Sequence, residues 1–221
     1  MGTLLRRYAE FVVAHPWLVL LASLLVSLVV GTGASRLRVD TDPERVVPAN
    51  NHFIALDRKI RKEFGGRNFV AIAVVPTSGT VWRTEVLQVV YDMTLDLLNA
   101  RGIISQNVVS LSSPYVRVPK DQDGTLVVDY LMREVPADES GVAALRNLYL
   151  SEPLVRGTVV SEDEKAAMVL GDFYDDMTLA EIAGIVDEVV AKYQSPEIDI
   201  AMTGAPILAH TSESILRRQF I

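Results

Sequence analysis

At 221 residues and 24.3 kDa, the chain has room for one or two small domains. A hydrophobic content of 49% excludes a disordered tail, and 22% charged residues exclude a bundle made only of membrane helices. The net charge of −7 argues against nucleic acid as a partner, and the lack of cysteine excludes disulfide scaffolds, thiolate metal sites and thiol nucleophiles.

The three histidines, His15, His52 and His210, share no metal-binding spacing, so neither a metal nor a cofactor is expected. From Phe11 to Ser35 there is no Asp, Glu, Lys or Arg. As a helix this stretch spans roughly 37 Å, enough to cross a hydrocarbon core of about 30 Å. The ten Leu and Val residues between Leu18 and Val30 favour the bilayer by roughly 3–6 kcal/mol, and Trp17 suits the headgroup layer. The expectation is a short cytoplasmic stub over 1–15 and a transmembrane helix over 16–35. A cleaved signal peptide is the competing reading, with Arg6 and Arg7 leading and Thr32-x-Ala34 as the cleavage site. Arginines flank both ends, but long segments translocate largely regardless of charge, which favours an extracytoplasmic main domain. Ser23, Ser27 and Gly31, with Ser35, recur every four residues, and small residues at that interval let another helix approach closely. Chance supplies the same pattern.

Residues 36–66 read as a linker around Asp40–Pro48 and a short amphipathic helix with Phe53, Leu56, Ile60 and Phe64 on one face, ended by Gly65-Gly66. Phe69–Val75 has strand length. Thr84–Ala100 carries Val86, Val89, Val90, Met93 and Leu97 on one helical stripe. Ile103–Leu111 reads as a returning strand, completing a β-α-β unit. Tyr115–Val118 and Leu126–Met132 flank an Asp-Gly turn and read as a hairpin. That turn also resembles a calcium loop, but it lacks the remaining oxygen positions. A helix over Asp138–Leu150 precedes a second hairpin, Gly157–Val160 with Lys165–Phe173. Thr178-Leu-Ala-Glu181 matches a capping box opening a helix to Tyr193. Ile198, Ile200 and Met202 alternate as a last strand. Residues 206–221 begin a further helix and end on an apolar residue after Arg217-Arg218, as the approach to a second membrane helix would. The expected fold class is α+β: one N-terminal transmembrane helix, then a domain over 67–205 of split β-α-β (ferredoxin-like) units with helices on one face of mixed sheets.

The order of landmarks is informative: a His15-Pro-Trp-Leu membrane helix, Val39-Asp-Thr-Asp42, Val47-Pro-Ala-Asn50 and Glu63-Phe-Gly65. Asn107-Val-Val-Ser-Leu111, Val159-Val-Ser-Glu-Asp163 and Thr203-Gly-Ala-Pro206 follow. Together they resemble the first membrane helix and first porter domain of resistance–nodulation–division (RND) exporters, closest to the branch with MmpL-type and hopanoid lipid transporters. The resemblance implies proton-driven efflux of hydrophobic, amphipathic or lipid-like substrates from the inner (plasma) membrane, with the porter domain on the periplasmic side. It implies as partners the lipid bilayer, the cargo, and the remainder of the permease or a homo-oligomer. No relay residue carries over, because the hydrophobic span holds no ionisable acid. The chain therefore reads as the N-terminal fragment of a longer permease. The alternative is a single-pass membrane-anchored binding or assembly module. No G-x-S-x-G elbow, P-loop or histidine cluster points to an enzyme, and Asp175-Asp176 serves a helix start instead.

Overall fold

Residues 2–34, 52, 53, 56, 59, 66, 68–122 and 124–220 are described in a computed structural model of the chain. They divide into two units, Met1–Asp40 and Thr41–Ile221. The readings of the linker, of Ser35, Ile60 and Phe64, and of the 39–50 landmarks lie outside the described residues.

The first unit holds α1 (Gly2–Ala14) and α2 (Pro16–Ala34). Pro16 has no N–H and restricts the residue before it, so one helix ends at His15 and the next starts with proline at its first position. His15 belongs to both: its N–H reaches Phe11 O at 3.0 Å, and its carbonyl accepts from Leu18 N at 3.1 Å. The N-terminal stretch is thus helical, with an Arg6–Glu10 pair at 3.1 Å on its surface. Pro16–Gly33 is long and apolar enough to cross a membrane by length and composition, a property that a signal sequence shares.

The second unit is built on a three-stranded sheet ordered β4-β1-β5, with β1 at Asn68–Pro76, β4 at Ala167–Phe173 and β5 at Ile198–Gly204. Val70, Ile72 and Val74 alternate on one face of β1 and are fully buried. α3 (Thr84–Leu98) lays Val86, Val90, Met93 and Leu97 on the same core, and α5 (Leu179–Ala191) adds Ile182, Val186 and Val190. The helix-to-sheet fit is tight at Gly171 in β4. A Cβ there would lie 2.9 Å from Leu97 Cδ2 and 3.1 Å from Ile103 Cδ1, so a larger residue would force those two side chains to shift. Between α3 and β4 come β2 (Arg117–Gln122), β3 (Thr125–Tyr130) and α4 (Glu139–Ser151). α6 (Ala205–Phe220) packs against α5, β1 and β5.

Three readings are corrected. Ile103–Leu111 is not a continuous strand. It touches β4 at two bridges, Ile103 with Phe173 and Val109 with Leu170, on either side of a 3₁₀ turn at Ser105–Asn107. The polar trio Ser-Gln-Asn favours that turn over a ladder. The Gly157–Val160 arm reduces to one bridge, Val160 with Ala167, because the Gly157 N–H is bonded to the Tyr149 hydroxyl instead. The sheets are not mixed: among the described residues every pairing and bridge is antiparallel. β4 is antiparallel both to β1 and to the 103–109 bridges, so that segment runs in the direction of β1 with β4 between them.

Candidate functional sites

Ser23, Ser27 and Gly31 lie on the exposed surface of α2, and a Cβ at Gly31 would meet nothing within 4 Å. Ser23 and Ser27 line a groove of about 680 Å³ whose apolar sides include Phe11, Leu18, Val19 and Val26. Phe11 and Val12 from the end of α1 join α2 in lining it. Two of the three small residues therefore line this apolar groove, while Gly31 does not.

A cleft of about 660 Å³ opens in the second unit where the starts of α3 and α4 meet the chain entering β5. Trp82, Arg83, Thr84 and Glu85 form one wall, α4 supplies Glu139, Val142, Ala143 and Arg146, and Glu197 closes the third side. Trp82 is 9% exposed and tilts against Tyr149 with ring centroids 5.4 Å apart. The Tyr149 hydroxyl accepts from Gly157 N at 2.7 Å and donates to Val160 O at 3.0 Å. Arg146 grips Glu164 by three contacts of 2.9–3.2 Å. Glu164 is also held through its main chain, its carbonyl accepting from Val81 N at 2.9 Å, and it adopts a left-handed φ of +58°. The Arg146 charge is thus committed, and three glutamates face the cleft against the one cation of Arg83 that has no ion-pair partner among the described residues. The lining therefore combines Trp82 and Val142 with a mostly acidic set of charged side chains.

Two buried polar side chains, Asp172 and Asn68, lie at one end of the sheet. Asp172 in β4 is 3% exposed, and its Oδ2 accepts from Gly66 N at 2.8 Å and Asn107 Nδ2 at 3.1 Å. Its Oδ1 is buried with no hydrogen-bond partner among the described residues. Asn68, 1% exposed, donates to Tyr174 O at 2.8 Å.

Two ionic groups are more superficial. Arg133, at 2.7 Å, leads the Tyr130 N–H and Lys120 in holding the Asp129 carboxyl down to about 2. Arg133 and Arg117 both lie over the Tyr130 ring, 4.5 and 5.3 Å from its centroid. The Tyr193 hydroxyl, donating at 2.8 Å, and then Lys192 hold Asp96 below the usual carboxylate range. Burial and Asp96 push Tyr193 upward. Among the described residues, no three His, Asp or Glu side chains are grouped to hold a metal ion.

No protein-family model matches the chain, and no curated protein matches it. Asp175 and Asp176 are exposed just before the Thr178 cap, where a helix start places them. Sequence reasoning missed both the cleft and Asp172. The cleft joins residues 82–85, 139–146 and 197, which no local pattern connects. Asp172 did leave a signal: it is a lone acid in the apolar strand Ala167-Met-Val-Leu-Gly-Asp-Phe173.

Proposed function

We propose that this chain is the N-terminal part of an RND-type, MmpL-like exporter, which in the full-length protein drives hydrophobic or lipid-like molecules out of the cell at the expense of a proton gradient. In this reading α2 is a membrane anchor in the inner (plasma) membrane, and the second unit stands on the extracytoplasmic side as a porter domain. The observation that carries the reading is the strand arrangement. α3 leads from β1 to a segment on the far side of β4, so β4 splits a β-α-β crossover, and β5 closes the other edge. A split β-α-β order of this kind supports reading the unit as ferredoxin-like and porter-type, and it follows an apolar helix in the same chain.

The roles divide along the two units. The groove at Ser23 and Ser27 receives another membrane helix of the permease or of a second copy, since packing must replace the missing hydrophobic drive inside lipid. The Trp82 cleft contacts amphipathic cargo outside the membrane. In this reading the chain acts by anchoring and by contacting cargo.

The test begins with alkaline carbonate washing, which leaves the intact chain in the vesicles if α2 is an anchor; release of the unprocessed chain refutes the reading. The cysteine-free background allows a single cysteine at Leu154, 91% exposed, to be labelled by an impermeant maleimide from the extracytoplasmic side alone. Full-length protein in proteoliposomes with an imposed proton gradient then moves a fluorescent amphipathic lipid. A chain that is anchored but supports no gradient-dependent movement identifies the single-pass binding or assembly module instead.

A further inference from the structure

The geometry points to Asp172, Asn107 and Gly66 as a releasable joint that pins the chain two residues before β1 onto the far end of β4. The inference is independent of the transport reading. β4 does not need the Asp172 side chain for its own ladder: the Asp172 carbonyl already accepts from Ile104 N at 2.8 Å, and its backbone pairs with Phe69. The carboxylate instead reaches outside the ladder, where Oδ2 takes the Gly66 N–H at 2.8 Å and Asn107 Nδ2 at 3.1 Å. Three separate stretches of chain therefore converge on one oxygen atom.

Two features make the joint releasable. Asp172 Oδ1 is buried with no hydrogen-bond partner among the described residues, so the cost of taking the carboxylate out of water is only partly offset. Gly66 sits at a φ of +93°, yet a Cβ there would meet nothing within 4 Å. Glycine is thus required for the backbone angle that aims the N–H at Asp172 and not for space. Opening the joint breaks the bonds to one side chain and leaves the β1–β4 ladder whole. Gly66 is then held or freed without unfolding the sheet.

Amide hydrogen exchange on the full chain in detergent micelles tests this. Asp172→Ala and Gly66→Ala each raise exchange at the residue 66 amide by about tenfold or more, relative to intrinsic rates, while Ile72 and Val169 amides keep their protection. Gly66→Ala lies on an exposed residue with open space around it and carries the test if Asp172→Ala fails to fold. Unchanged exchange at residue 66 in Gly66→Ala overturns the joint. Loss of protection spreading to Ile72 and Val169 in that variant overturns it too, since Gly66 then belongs to the core's single cooperative unit.

Discussion

Gly204→Ala is expected to be among the most damaging single-methyl changes in the second unit. Gly204 closes β5 opposite Val70 with a φ of +130°. A Cβ there would run into the Phe69 carbonyl oxygen and lie 3.0 Å from Val70 Cα. Both obstacles are backbone of the central strand and have no rotamer by which to yield. The strained angle costs about 1–3 kcal/mol. Overpacking adds about 1–3 kcal/mol, giving about 2–6 kcal/mol in all. With a urea slope of about 2 kcal/mol per M, the unfolding midpoint falls by about 1–3 M. The measurement is urea unfolding of the full chain in detergent, followed by Trp82 fluorescence in a Trp17→Phe background. Gly184→Ala is the matched control: this glycine lies within α5 with nothing within 4 Å of the added atom. There the same methyl group raises stability by up to about 1 kcal/mol through helix propensity. A midpoint for Gly204→Ala at or above that of the parent refutes the reasoning.

Ile72→Ala, at a fully buried position in the middle of β1, should cost about 2–5 kcal/mol in the same assay. Tyr149→Phe leaves Gly157 N and Val160 O without their shared hydroxyl and should cost about 1–3 kcal/mol, with local exchange rising first at Gly157. Asp129 has a folded pKa of about 2, below its unfolded value near 4, so its stabilising contribution is present above about pH 4 and lost as the pH falls toward 2. The gap in urea midpoint between the parent and Asp129→Asn should therefore close over that interval, whereas a constant gap shows that the Arg133 pair is not its cause. Thr178→Ala removes the acceptor of the Glu181 N–H and should cost about 1 kcal/mol, measured as a lower midpoint.

Local chemistry made the repeating elements readable in advance. The capping box at Thr178 and Glu181 forms with both halves present: Thr178 Oγ1 accepts from Glu181 N at 3.3 Å, and Glu181 Oε2 accepts from Thr178 N at 3.0 Å. The stripe from Val86 to Leu97 becomes the buried face of α3, and β2 pairs with β3 across a connection in which Gly124 has a φ of +78°. Trp82, Tyr149 and Met93 go to the core as large apolar residues usually do, but Tyr115 and Tyr174 stay exposed. The irregular parts were hidden because distant partners decide them. Ile103–Leu111 has strand composition, yet its Ser105–Asn107 turn delivers Asn107 to a carboxylate 65 residues away. The Gly157 arm loses its ladder to a tyrosine from the preceding helix. Strand order follows the same rule: alternation marks β1, β4 and β5 singly, while the insertion of β4 beside β1 depends on the whole core.

β5 ends at Gly204 and α6 begins at Ala205, with no intervening loop. There is consequently no slack between them. A pull along α6, or a twist of that helix by one residue (about 100° and 1.5 Å), reaches the Gly204–Val70 pair directly and so loads the middle of the sheet. Force applied at the carboxyl end of the chain would be felt in β1 before any peripheral hairpin moved.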